Sequence, residues 1–146
     1  TLDELTEGMS AHYTVMLGGR EVGQFAGTSG DLSPLHVDEE FGKNSEFGSN
    51  LVHGMLIASH FSTLIGVHLP GRNALLAGID FAFEKPVPVG SEVTVSASIL
   101  AVQKANRMVK LNLLAYWNRE ICVRGTASVK IQNDLSNRSA QSESST

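Results

Sequence analysis

A carboxylate and an imidazole stand five positions apart in the stretch Gly30-Asp31-Leu32-Ser33-Pro34-Leu35-His36. Gly, Asp, Ser and Pro all favour a turn, so Asp31 and His36 can face one reacting atom. Shortly downstream, Leu51-Val52-His53-Gly54-Met55 opens a long apolar run. A glycine at the start of a buried helix can offer a bare main-chain N–H to a developing oxyanion. Together these are the parts needed to move a proton and a hydroxyl across an activated carbon–carbon double bond.

Each residue alone also has an ordinary structural use. Asp31 can satisfy main-chain N–H groups in an Asx turn, and a lone histidine such as His36 more often packs or faces water. His53 and Gly54 can simply begin a helix where a bulkier residue would meet a strand. A helix serine such as Ser62 can bond back to its own main chain. Only the joint pattern lifts the chemical reading above these. His53, His60 and His68 lack the i,i+3 or i,i+4 spacing of a helical chelate, and Cys122 is the sole cysteine, so no metal site is expected.

The elements that must position these residues read as an α+β order. Tyr13 to Leu17 is a first strand, Glu21 to Ser29 a short helix and Val37 to Lys43 a further helical turn. A long helix runs from about Asn50 to Val67, with Ser49 or Asn50 as its N-cap. Its apolar residues cover nearly the whole circumference, the mark of a helix that something else wraps. Four strand-like stretches follow, 74–83, 92–102, 108–117 and 121–131. Alternation puts Val93, Val95, Ala97 and Ile99 on one face, and Ala127, Val129 and Ile131 on another. Hairpins near residues 103–107 and 117–120 imply an antiparallel sheet, curved by its twist around a single central helix. Residues 1–131 form one domain. The polar stretch 132–146 reads as a disordered tail or linker.

Three motifs now carry a family likeness. Asp31-Leu32-Ser33-Pro34-Leu35-His36 resembles the D-x-N-P-x-H motif of the MaoC-like hydratases, the (R)-specific enoyl-CoA hydratases of the hot-dog fold. Leu51-Val52-His53-Gly54-Met55-Leu56 resembles the segment that opens that family's central helix, and Phe61-Ser62 matches its later serine. Phe83-Glu84-Lys85-Pro86-Val87-Pro88-Val89-Gly90-Ser91-Glu92-Val93 is similar to its F-x-x-P-V-x-x-G-D strand–turn–strand. The likeness spans roughly Thr6 to Ile131. It implies Asp31 and His36 as the catalytic pair, Gly54 as oxyanion donor and Ser62 as a supporting hydroxyl. Ser33 departs from the family's Asn, exchanging a long amide for one shorter hydroxyl at a position that the resemblance implies orients substrate or carboxylate.

Composition narrows the field. Eleven basic against fifteen acidic residues, net −4, disfavour a nucleic-acid partner. A lone cysteine points to a reducing compartment such as the cytoplasm. The apolar run at 51–67 is interrupted by polar residues and too short to span a membrane. The N-terminus lacks the basic start and apolar stretch of a secretory signal. The expected activity is hydration of a trans-2-enoyl thioester to the (R)-3-hydroxyacyl thioester, or the reverse. It needs no cofactor beyond coenzyme A or acyl carrier protein as the substrate's carrier. Lys43, Arg72, Lys85 and Arg107 are candidates to meet carrier phosphate, and Met55, Leu56 and Phe61 to shorten the acyl pocket. A long sheet edge predicts a homodimer joined edge to edge. Thioester hydrolysis on the same fold and a non-catalytic acyl-binding or dimerisation module are the alternatives.

Overall fold

Alternating apolar residues build five antiparallel strands, and the computed structural model, which describes residues 1–134, joins them in one sheet of order β1-β3-β4-β5-β2. The strands are β1 (Ser10–Leu17), β2 (Ala74–Phe83), β3 (Ser91–Gln103), β4 (Met108–Trp117) and β5 (Glu120–Ile131). Both expected hairpins form, and the second turns through Asn118 and Arg119, both left-handed. That is the two-residue turn whose twist suits paired strands. The part of the expected tail from residue 135 onward lies outside the described residues.

The inward positions read from alternation are the buried ones. Val93, Val95, Ala97 and Ile99 of β3, and Ala127, Val129 and Ile131 of β5, are all at most 2% exposed. Against them lies helix α4 (Gly54–Thr63), contributing Leu56, Ile57, Ala58 and Phe61 to the core. Burying Phe61 completely is worth roughly 1.5–3 kcal/mol. Gly125 sits where β5 passes close to β2. A Cβ there would stand 2.2 Å from the Asp80 carbonyl oxygen, so only glycine permits that approach.

The helix differs from expectation in three ways. It begins at Gly54 rather than Asn50, with His53 as N-cap, because Leu51 and Val52 run extended and bond to the strand-like segment near Val87. Its last turn, Leu64–His68, widens into π geometry, closed by the Leu69 N–H on the Leu64 carbonyl at 2.7 Å. It is also not wrapped all round. Met55, Ser59, Ser62 and Gly66 are exposed, and their spacing places them on one helix face. A five-stranded open sheet covers only one side of a helix.

Three short helices fill the segment before α4: α1 (Gly19–Ser29), α2 (Pro34–Val37) and α3 (Glu39–Asn44). The stretch expected to be turn alone therefore includes one helical turn. Proline at the first position of α2 favours it, since its missing N–H would be unpaired there anyway. Asp38 caps α3 by accepting from the Phe41 N–H at 3.1 Å.

Toward its C-terminal end, α4 docks on β1 through Tyr13, whose hydroxyl lies 2.6 Å from His60 Nδ1 and donates to the His60 carbonyl at 3.2 Å. Burial holds the His60 imidazole below its usual value and raises the Tyr13 phenol. Unfolding exposes His60, so near and below pH 6.5 the unfolded chain binds the extra proton more readily. This contribution to stability is present above that pH. It is lost as pH falls toward the folded group's lowered value. A denaturant titration at pH 7 and pH 5 should therefore show a smaller pH-dependent drop in His60→Gln than in the wild type. Equal drops in both chains would rule the linkage out.

Candidate active site

Residues Asp31 to Ser33 are irregular, and the helical turn α2 that follows them depends for its position on a strap formed by Asn50 and Leu51. Asn50 Nδ2 donates to the carbonyls of Leu35 and Asp38 at 3.0 and 2.8 Å, and the Leu51 N–H bonds the Leu35 carbonyl at 3.1 Å. Asn50 is thus an anchor of α2 and not the cap of α4. The strap sets α2 against the start of α4 and the end of β2. Between them opens a cavity of about 400 Å³ lined by Asp31, His36, His53, Gly54, Met55 and Phe83, with Val52, Ile57, Val87 and Val123 among its apolar walls.

Asp31 is exposed and makes the Asx turn its sequence allows, Oδ1 accepting from the Ser33 N–H at 3.2 Å. Oδ2 has no protein partner among the described residues. The structural and chemical readings of Asp31 are therefore compatible. His36 Nδ1 lies 2.7 Å from the Leu51 carbonyl oxygen. A carbonyl only accepts, so the neutral ring carries its hydrogen on Nδ1 and presents a bare lone pair at Nε2. Asp31, His36 and His53 each bring one carboxylate oxygen or ring nitrogen within 4.8 Å of the others.

Gly54 sits at the first turn of α4, where main-chain N–H groups lack intrahelical acceptors. Its N–H has no protein partner among the described residues. The missing side chain matters sterically, because a Cβ would fall 2.8 Å from Cδ1 and Cε1 of Phe83. The structure thus brings Asp31, His36 and Gly54 to one cavity.

Ser33 and Ser62 are placed elsewhere. Ser33 is exposed and begins α2 through its main chain, its carbonyl accepting from the His36 N–H at 2.9 Å, with no side-chain cap bond. Ser62 lies eight residues beyond Gly54 on the exposed face of α4, about 12 Å along the axis at 1.5 Å per residue. It does not line the cavity. Of the residues considered for pocket length only Met55 lines it. Leu56 and Phe61 point into the core, since their positions on α4 face the sheet.

Of the four basic residues considered for phosphate, Lys85 alone lines the cavity, and it is paired with Glu120. Arg72 pairs with Asp134, and the Arg107 guanidinium donates to the carbonyls of Ile131 and Gln132. Cys122 is buried in β5, where burial raises its thiol, in keeping with an inert packing role.

His53 is the residue that sequence reasoning passed over. It is 2% exposed, its Nε2 lies 3.0 Å from the main-chain oxygen of Asp31, and its ring stacks on His36 with centroids 3.9 Å apart. The available signal was an imidazole inside an apolar run, next to the glycine that opens the helix. A buried polar ring there needs a partner. One nitrogen of each imidazole is occupied by a carbonyl. That leaves Nε2 of His36 and the buried Nδ1 of His53 without a protein partner among the described residues.

A family model described as a MaoC like domain matches residues 5–114. The chain belongs to this family. It is similar to the (R)-specific enoyl-CoA hydratase of Aeromonas caviae, 36% identical over 128 residues that cover 87% of this chain and 96% of that protein. It also resembles the 3-hydroxybutyryl-CoA dehydratase of Methylorubrum extorquens, 27% identical over 129 residues, 88% of this chain and 82% of that one. Among solved structures, the (R)-hydratase from A. caviae has a TM-score of 0.85 at 36% identity, with coverage of 87% and 97%. The unliganded R-hydratase from Pseudomonas aeruginosa has a TM-score of 0.87 at 27% identity, with coverage of 91% and 86%. The architecture is the hot-dog fold of these MaoC-like hydratases, an antiparallel sheet curved around a central helix. No helix among the described residues is long and apolar enough to cross a membrane.

Proposed function

We propose that this MaoC-like chain is a hydro-lyase that adds water to trans-2-enoyl thioesters to give (R)-3-hydroxyacyl thioesters, and catalyses the reverse dehydration. One observation carries the reading: the Asp31 carboxylate, the His36 imidazole with its bare Nε2, and the unpartnered Gly54 N–H border one cavity whose other walls are mostly apolar. The hydratase and dehydratase names of the relatives support it.

The uncommitted atoms suggest the order of events. His36 Nε2 takes a proton from a water whose second hydrogen is held by Asp31 Oδ2. The water's oxygen bonds to C3 of the acyl group as the double-bond electrons move toward the thioester oxygen. The Gly54 N–H, at the positive end of α4, stabilises that oxyanion. The imidazolium Nε2–H then delivers the same proton to C2, and the thioester carbonyl reforms. Oxygen and hydrogen of one water end on C3 and C2, on the same face because one pair of residues handles both. The conjugated thioester carbonyl supplies the activation and coenzyme A or acyl carrier protein only carries the acyl group, so the reaction calls for no further cofactor.

The assay that tests this follows loss of enoyl absorbance across acyl lengths, with chiral analysis of the product. An (R)-3-hydroxyacyl product without free thiol is expected. Thiol release from saturated acyl-CoA would favour hydrolysis instead. Binding without turnover on every chain length would favour a non-catalytic module.

The homodimer belongs to the same proposal. Strand β2 ends the sheet and exposes Leu75, Leu76, Ile79 and Phe83, each at least 38% accessible, and Met55 of α4 is also exposed beside the cavity. An unpaired apolar edge is one that proteins cover, and a second copy of β2 fits by two-fold pairing. The exposed α4 face bearing Ser62 lies on the uncovered side of the helix, where that copy would supply surroundings for the hydroxyl. In sedimentation velocity the wild type should run as a dimer and Ile79→Lys as a monomer. A monomeric wild type, or a dimer untouched by Ile79→Lys, would remove β2 as the interface.

A further inference from the structure

We propose that His53 is a positioning residue that locks Asp31 and His36 into a single catalytic geometry. The inference rests on the hydratase reading above and adds to it a residue that touches neither water nor acyl group in that mechanism.

The need for such a residue follows from where the pair sits. Asp31 and Ser33 are exposed, and α2 has only four residues. Hydrogen bonds around the Gly30–Ser33 backbone are otherwise local: Gly30 to Ala26, Asp31 to Ser29 Oγ, Leu32 to Gly30, Ser33 to Asp31 Oδ1, and the Ser33 carbonyl to His36 and Val37. Among the described residues, the bond from His53 Nε2 to the Asp31 carbonyl is the one that ties this stretch to a distant part of the chain.

His53 is itself well held. Its carbonyl accepts from the N–H groups of Leu56 and Ile57 at 3.0 and 3.2 Å, closing the first turn of α4. Phe25 of α1 packs edge-on against its ring, centroids 4.8 Å apart, and His36 contacts it face to face at 3.9 Å and 25°. The ring is therefore clamped between α1 and α2 while its backbone starts the helix that presents Gly54. One imidazole couples all three functional groups: Asp31 through an N–H, His36 through a ring face, Gly54 through the peptide that follows.

The bonding also assigns its hydrogen. Since the Asp31 carbonyl only accepts, Nε2 carries the hydrogen in the neutral ring and Nδ1 is bare, buried and without a protein partner among the described residues. A buried polar atom without a partner is costly. Leucine or methionine would fill the same space without that cost, so the N–H and the flat face are what this position requires.

The experiment measures crotonyl-CoA hydration by the wild type, His53→Phe and His53→Gln, and by His53→Phe in a His36→Ala background. Phenylalanine keeps a flat ring and loses the N–H, whereas glutamine keeps a donor and loses the ring. Each single variant should lower kcat by about 10–100-fold with KM changed less than about threefold, the size expected when reacting groups shift by roughly 1 Å. In the His36→Ala background the second change should cost several-fold less than it does alone, because one of the two groups His53 holds is already removed. Unchanged kcat in both single variants, a loss confined to KM, or an undiminished loss in the double variant would each overturn the proposal. Should the variants fail to fold, side-chain ¹⁵N spectra of the wild type decide: hydrogen on His53 Nε2 and His36 Nδ1 supports it, and the opposite tautomers end it. A wild type that hydrates no acyl length condemns the hydratase reading instead, and the spectra still judge the geometry.

Discussion

Asp31→Asn and His36→Ala should each fold as the wild type does and lose about 10²–10⁴-fold in hydration rate, the usual worth of a positioned acid or base. Both side chains are at least partly exposed and neither belongs to the core, so thermal unfolding should move little. The two losses should differ in kind. Asparagine retains the Asx turn to the Ser33 N–H but replaces an acceptor-only carboxylate oxygen with a donor amide in one of its two orientations. Alanine at 36 removes the only lone pair assigned to take the water's proton, along with the tie to the Leu51 carbonyl. The measurement is steady-state hydration beside circular dichroism of each variant. Full activity in either folded variant would end the acid–base assignment.

Gly54→Ala should reduce kcat/KM by about 10²-fold, for a steric reason. The added methyl would stand 2.8 Å from two ring carbons of Phe83, well inside contact distance. Phe83 lies at the end of edge strand β2, so its ring is the part that must move to relieve the contact. Both residues line the cavity, so the ring's movement and the new methyl disturb the place where the thioester carbonyl is to meet the Gly54 N–H. A misplacement of about 1 Å there is enough for a loss of this size. Removing the obstruction separates the causes. Gly54→Ala with Phe83→Ala should recover part of the activity, whereas no recovery would place the fault in the main chain of α4. Wild-type activity in Gly54→Ala alone would remove the steric argument, since alanine keeps the same main-chain N–H.

How far each part could be read from residues follows from the range of the interactions involved. Period-two alternation in β3 and β5 reports burial directly, because each residue faces one side of a sheet whatever that sheet packs against. The strands and their inward faces were accordingly legible. The start of α4 was not. Asn50 has the chemistry of an N-cap, yet its amide is drawn to carbonyls of α2, and the backbone stays extended to His53 by pairing near Val87. Those partners lie more than ten residues away, and local propensity does not contain them.

The candidate site divides along the same line. Asp31 and His36 announce themselves because their short separation and turn chemistry act within a few residues, and Gly54 because it opens an apolar run. His53 and Phe83 do not. One acquires its contacts from α1 and α2, the other its distance to Gly54 from the docking of β2 on β5. Ser62 shows the converse, since a motif match names the residue while its exposure shows that the isolated chain leaves it outside the cavity. Residue types and near-neighbour spacing establish which groups exist and which elements carry them, since hydrogen bonding and periodicity act locally. Which atoms meet, which nitrogen keeps its lone pair and which glycine has no room for a methyl follow from packing between distant segments, where a shift of an ångström changes the answer.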